Sequence, residues 1–192
     1  MNLSELLPEL EDRLRQRRVA LCDVLMPGIG EEEVRSALSE LSMDAPGELV
    51  TWYAWHNGIS PAQPLNQGQT LFDLELKTLD GAIAQWRWLK PGPEIWDWNP
   101  TWLPFASSSG MSRYAVDCTP PQGEVATVRV ASPDAGLFDE KQQPSVSGLA
   151  TVVQRWITAL DEGWITYLED PQNWDDPGRK QIPLEWRITG FI

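Results

Sequence analysis

Trp98-Asn-Pro-Thr-Trp102-Leu-Pro-Phe105, followed by Arg113-Tyr-Ala-Val-Asp117 and Gly123-Glu-Val125, is the stretch that decides the fold. It reads as an aromatic entry into a buried strand and then a hairpin. Strands over 113–118 and 124–130 are joined by Thr119-Pro-Pro-Gln-Gly123, a hairpin-length loop rich in turn formers. Ser107-Ser-Ser-Gly-Met-Ser112 makes the turn before them. No residue in the stretch is suited to bond-making chemistry, so the middle of the chain is architecture.

On the C-terminal side, Leu149, Val152, Val153, Trp156, Ile157 and Leu160 form a wide apolar helical face, stopped by Gly163. A polar acidic loop follows, and then Leu184, Trp186 and Ile188 alternate as in a late strand. On the N-terminal side, leucines at 3, 7, 10, 14 and 21 predict a helix over 3–25, with Pro8 near its first turn. Glu31-Glu-Glu-Val34 opens a second helix with acids where the helix dipole prefers them. Pro46 begins a third, in which Leu49, Trp52, Tyr53 and His56 recur at helical spacing and Asn57-Gly58 supplies the C-cap. Leu71-Phe-Asp-Leu74 reads as a short strand and Thr78–Leu89 as a helix. Helices, then short strands, then one long helix indicate a single α+β domain: a mixed, mainly antiparallel sheet with helices packed on it.

Charge narrows the partners. With 28 acidic against 15 basic residues the net charge is −13, and nucleic acid, whose phosphates need a basic patch, is a poor partner. A basic protein is a better one, because a negative field speeds and orients the encounter; the alternative is that acidity merely keeps the chain soluble. Eleven tryptophans in 192 residues are mostly core, with a few available for recognition. Arg13, Arg15, Arg17 and Arg18, the basic cluster, read as a solvated helix face. The amino terminus lacks a signal-peptide pattern and no run reaches the roughly 20 apolar residues of a membrane span, so a cytoplasmic protein is expected. Cys22 and Cys118, far apart, read as free thiols.

Chemistry is sought without result. The one histidine, His56, reads as structural, and no phosphate loop, nucleophile elbow or paired-cysteine motif occurs. Neither enzymatic activity nor a cofactor or metal is expected. Asp97, between Trp96 and Trp98, suits capture of an Arg or Lys side chain; its other reading is a loop acid that satisfies backbone N–H groups. Asp139-Glu140 and Asp175-Asp176 are acidic pairs in loop-like sequence and complete the candidate partner-binding set.

The chain resembles the SUKH superfamily, named after fungal cell-wall-assembly regulators and abundant in bacteria. Four features in order carry the resemblance: the helix ending in Asn57-Gly58, with Ala45-Pro46 in place of Leu-Pro; Leu76-Lys-Thr-Leu-Asp-Gly-Ala-Ile83; Trp102-Leu-Pro-Phe105 with Tyr114–Asp117 and Gly123-Glu-Val125; and Ser147–Leu160. Asn57, Gly58, Trp102, Pro104, Phe105, Asp117 and Gly123 are the motif residues, structural in role. The match spans about 29–163, which leaves 1–28 as an N-terminal helix and 164–192 as an extension packed on the same domain. The resemblance implies a non-catalytic binding protein, foremost an immunity-type protein that neutralises a cognate toxin domain, basic and often a nuclease. The alternative is a regulatory scaffold for signalling or cell-wall-synthesis proteins. A hydrolase or sugar-binding module on the tryptophan-rich loop is a third reading.

Overall fold

Asn2 starts the first helix with a reciprocal cap: its side chain accepts from the Glu5 N–H at 3.0 Å while its own N–H donates to the Glu5 carboxylate at 3.0 Å. That helix is α1 (Leu3–Gln16). After it come β1 (Leu25–Pro27), α2 (Glu31–Ser39), α3 (Gly47–Trp55), β2 (His56–Ile59), β3 (Leu74–Leu76) and α4 (Leu79–Leu89). The second half holds β4 (Trp102–Ser108), β5 (Arg113–Asp117), β6 (Thr127–Ala131), β7 (Ser145–Ser147), α5 (Leu149–Asp161), β8 (Thr166–Leu168), β9 (Asn173–Asp175) and α6 (Leu184–Ile188). The computed structural model describes residues 2–60, 69–89, 98–108, 112–119, 125–131, 145–170 and 172–188.

The sheet is an antiparallel meander in the order β3-β4-β5-β6-β7, flanked by the two-stranded ribbons β1-β2 and β8-β9. The fold is mixed α+β, as expected. Leu103, Val116, Val128 and Val146 stand in register across it, and all four are buried in the core shared with α1, α3 and α5. Leu3, Leu6, Leu7, Leu10 and Leu14 of α1 belong to that same core. At its centre Trp52 of α3 meets Phe105 edge-on at 5.3 Å and lies 6.3 Å from Trp156 of α5. Pro104 sits in an interior strand, where a missing N–H is normally excluded; the register shifts between Pro104 and Ala106, so the proline falls at a bulge.

One buried carboxylate joins the halves. Glu48, in the first turn of α3, accepts from Leu149 N–H at 2.9 Å, Ala150 N–H at 3.0 Å and Ala126 N–H at 3.2 Å. It supplies from a distance the cap that α5 lacks locally, because its N-cap residue is Gly148. Gly148 is required there: its φ is +90°, and a Cβ would lie 3.1 Å from both Glu48 oxygens.

Four sequence expectations need correction. The first helix ends at Gln16, not residue 25, where Arg18 turns the chain through the left-handed region (φ 54°); Pro8 lies inside this helix. Asn57-Gly58 does not cap α3, which ends one residue before β2; both residues belong to β2. The Asn57 side chain accepts from Leu79 N–H at 2.8 Å and caps α4 instead. Gly58, at φ +66°, lets the backbone of Lys77 approach to 2.3 Å of where a Cβ would be. Leu71–Leu74 is not a strand but a two-residue turn leading into β3. Residues 184–188 form a helix rather than a strand, with Trp186 N–H donating to Pro183 carbonyl at 3.0 Å; three alternating apolar residues are too few to separate the two periods.

Candidate functional site

The turn before β3 is the unusual piece of backbone. Leu71 and Leu74 exchange N–H to carbonyl bonds at 2.9 and 2.8 Å, and the two residues between them, Phe72 and Asp73, have φ of 52° and 65°. Positive φ at both central positions is the signature of a type I′ turn, which Asn and Gly satisfy without strain. Aspartate tolerates this region; phenylalanine does not. Ring packing holds Phe72 there: it lies 4.6 Å from Trp174 and 5.7 Å from Trp156.

Trp174 arrives from the β8-β9 ribbon. Its indole N–H donates to Thr70 carbonyl at 2.8 Å, and Tyr167 meets its ring edge-on at 5.2 Å. The segments flanking the ribbon are tied to each other and to α5: Trp164 contacts Trp186 of α6 at 5.9 Å, and the Arg155 guanidinium of α5 lies 5.2 Å over the Trp186 ring. Gly178 packs against Trp164 so closely that a Cβ would come within 2.4 Å of its Cα.

Between the turn and this extension opens a cleft of about 330 Å³. It is lined by the half-buried Phe72 and by the buried Leu74, Tyr114, Trp156, Ile165, Trp174 and Ile182. Its rim carries Asp73, Asp175, Asp176 and Arg179. Arg179 pairs with Asp176 at 3.0 Å, and Asp175 accepts from Asp176 N–H at 3.0 Å. Asp73 has no cationic partner among the described residues. Burial and the repulsion of Asp176 hold its carboxyl above the ordinary aspartate range. The rim thus carries excess negative charge beside the half-buried ring of Phe72. It is not a metal cage, for among the described residues no three or more His, Cys, Asp or Glu side chains gather to hold an ion.

The sequence-selected residues divide between this cleft and the core. Asp175 and Asp176 stand at its rim. Trp98 is buried, its N–H donating to Trp102 carbonyl at 3.0 Å. Trp96, Asp97, Gly123, Asp139 and Glu140 lie outside the described residues. Asn57, Gly58, Trp102, Pro104 and Phe105 shape the core as above; Asp117 accepts from Thr119 N–H at 3.1 Å and from Arg129 at 3.4 Å, closing the strand end. His56 lies 2.9 Å from Met26 carbonyl and 3.1 Å from Glu11, a tie between β1 and α1. The arginine cluster is not simply solvated: Arg13 pairs with Asp161 at 2.8 Å and Arg17 donates to Leu160 carbonyl at 2.9 Å. Burial pushes the thiols of Cys22 and Cys118 up to about 11 and about 12, so both are protonated and poorly nucleophilic at neutral pH. Phe72, Asp73 and Trp174 were missed by sequence reasoning. The signal available was the Phe-Asp pair between two leucines, two residues of turn where a strand was read.

A second, wider groove of about 460 Å³ runs between α2 and α4, with Glu33, Glu40 and Asp80 facing Arg87. Its apolar lining is only Ala37 and Ile83, so the cleft beside Phe72, with more apolar lining, is the stronger candidate.

The model of the SMI1 / KNR4 family (SUKH-1) matches residues 28–147. The chain belongs to that family. Comparison with curated proteins finds no match. The match sets the cleft in relation to the SUKH-1 fold: Phe72, Asp73, Leu74 and Tyr114 come from within the matched segment. Trp156, Ile165, Trp174, Asp175, Asp176, Arg179 and Ile182 come from beyond it. Among the described residues no helix is long and apolar enough to cross a membrane.

Proposed function

We propose that this SUKH-1 protein is a non-catalytic, cytoplasmic binding protein of the immunity type, which neutralises a toxin domain by engaging a basic surface on it. The family suggests a protein-binding role of the immunity or regulatory kind. The observation that carries the finer reading is the cleft rim, where Asp73 stands unneutralised in a chain of net charge −13. A partner that grips nucleic acid exposes a basic cleft of its own, and an acidic surface competes for it by imitating the field of phosphates. The half-buried ring of Phe72 adds apolar contact, which surface charge by itself does not provide.

The test is capture by the tagged full chain in its native host, with mass spectrometry of what is retained and association kinetics at rising salt. The expected partner is basic and toxic when expressed alone. Its association rate falls steeply as salt rises, because long-range attraction is screened over about 8 Å at physiological ionic strength. Neutral or acidic partners, or an association rate indifferent to salt, would overturn the reading. A basic partner that is a signalling or cell-wall-synthesis protein would move it to the regulatory scaffold instead.

A further inference from the structure

We infer that the cleft between the Phe72-Asp73 turn and the C-terminal extension is a receptor for a single arginine side chain projecting from a basic protein partner. The inference deepens the partner-binding reading and rests on it. Three observations converge. A cleft of about 330 Å³ lies at the small end of the roughly 300–1,000 Å³ span of ligand sites, room for one side chain and not for a folded segment. Its wall carries Phe72, half-buried, whose ring packs on the buried Trp156 and Trp174 and leaves one aromatic surface for a flat cation. Its rim offers Asp73, which has no internal cation among the described residues, beside Asp175.

Arginine fits this combination better than lysine. The guanidinium is planar and weakly hydrated, stacks on aromatic rings and donates in a fork to a carboxylate. Lysine brings a compact, strongly hydrated charge that gains less from the rings. Arg179 pairs with Asp176 at 3.0 Å, and Asp73 and Asp175, with no ion pair among the described residues, are the carboxylates left for the incoming cation. The C-terminal residues that complete the cleft lie beyond the segment matched by the family model. The site is therefore shared between the matched segment, which brings Phe72 and Asp73, and the C-terminal extension, which brings Asp175.

The probe is acetyl-Gly-Arg-Gly-amide, titrated into the full chain beside its lysine and citrulline counterparts. The readout is the indole N–H resonance of Trp174, assigned with Trp174→Phe. Citrulline keeps the shape of arginine and removes the charge. The arginine peptide is expected to shift the resonance saturably, with affinity on the order of millimolar for one side chain. The lysine peptide should bind more weakly and the citrulline peptide leave the resonance in place. Asp73→Asn, chosen because asparagine also adopts the left-handed conformation, weakens arginine binding about threefold, as loss of one exposed charge pair would. Glu32→Gln on α2, equal in charge change and outside the cleft, leaves it unaltered. A citrulline response equal to that of arginine, equal affinities for the Asp73→Asn and Glu32→Gln proteins, or no saturable shift into the tens of millimolar each overturns the inference. The assay needs no partner: its failure with a basic partner in hand discards arginine capture alone, and its success with no partner captured does the reverse.

Discussion

Glu48 and Asp73 are both carboxylates, and folding treats them in opposite ways. Glu48 is drawn into the junction of α3, β6 and α5, only 9% exposed, and given three backbone N–H donors. Asp73 is raised on a strained two-residue turn, next to Asp176, with no cation of its own among the described residues. A buried charge is tolerable only when its hydrogen-bonding capacity is met inside the protein. A charge left unmet at a concave rim keeps its capacity for something outside. The contrast separates acidity that builds the molecule from acidity that is available to a partner.

The Glu48 side of the comparison breaks most visibly. Glu48→Ala strips an acceptor from three N–H groups and leaves α5 without its cap, so chemical denaturation should record a loss of about 3 kcal/mol. A loss below about 1 kcal/mol would show that water replaces the carboxylate and that the junction is not sealed. Gly58→Ala comes next. It combines a left-handed φ of +66° with a Cβ placed 2.3 Å from a Lys77 backbone atom, and the expected loss is about 2 kcal/mol in the same measurement.

How much of this was legible in the sequence follows from the range of the forces involved. The meander and α5 were readable, because a short apolar run between turn formers marks a strand buried on both faces, as in Tyr114–Val116, and a 3.6-residue pattern marks a helix buried on one, as in Leu149–Leu160. The Glu48 cap was not: its donors are 78 to 102 residues away, and no local pattern encodes them. Asn57-Gly58 carried a correct signal with two meanings, since a left-handed glycine ends a helix or admits a close backbone approach. The cleft was half visible. Asp175-Asp176 stood out as charge, whereas Phe72-Asp73 hid inside an apolar run because tertiary packing by Trp174 overrides the conformational preference of phenylalanine.

Acid sharpens the comparison further, since Glu11 and Asp161, paired inside the molecule, respond with a sign opposite to that of Asp73. At Glu11, burial raises the pKa, but hydrogen bonds from Arg15, Trp55 and His56 outweigh it and the net shift is downward from 4.5. At Asp161, the Arg13 hydrogen bond lowers it from 3.8. Both therefore contribute stability that is complete above the ordinary carboxylate value and is lost as pH falls through the lowered one. They tie α1 to β2 and α5, so the N-terminal helix should loosen first below about pH 4. Hydrogen exchange of α1 amides from pH 7 to pH 3 is the measurement, corrected for intrinsic exchange. Glu11→Gln should flatten the dependence by no more than about 1 kcal/mol after solvent screening. Equal acid sensitivity in the variant would discard Glu11 as the cause.

Asp73 runs the other way and gives the smallest change with the clearest sign. Its carboxyl is raised, by burial first and by Asp176 second, so the folded state holds the proton more firmly than the unfolded chain does. The favourable contribution is present below the ordinary aspartate value and is lost as pH climbs through the raised one; at neutral pH the charge opposes folding. Asparagine removes the repulsion, keeps the size and favours the φ of 65° found there. Asp73→Asn should therefore stabilise the protein at pH 7 by a few tenths of a kcal/mol and leave stability near pH 3 almost unaltered, while it weakens arginine capture. Stability gained where binding is lost is what a site kept under strain for a partner requires. A variant that is destabilised at neutral pH would mean instead that Asp73 serves the fold as Glu48 does, and the two carboxylates would no longer be opposites.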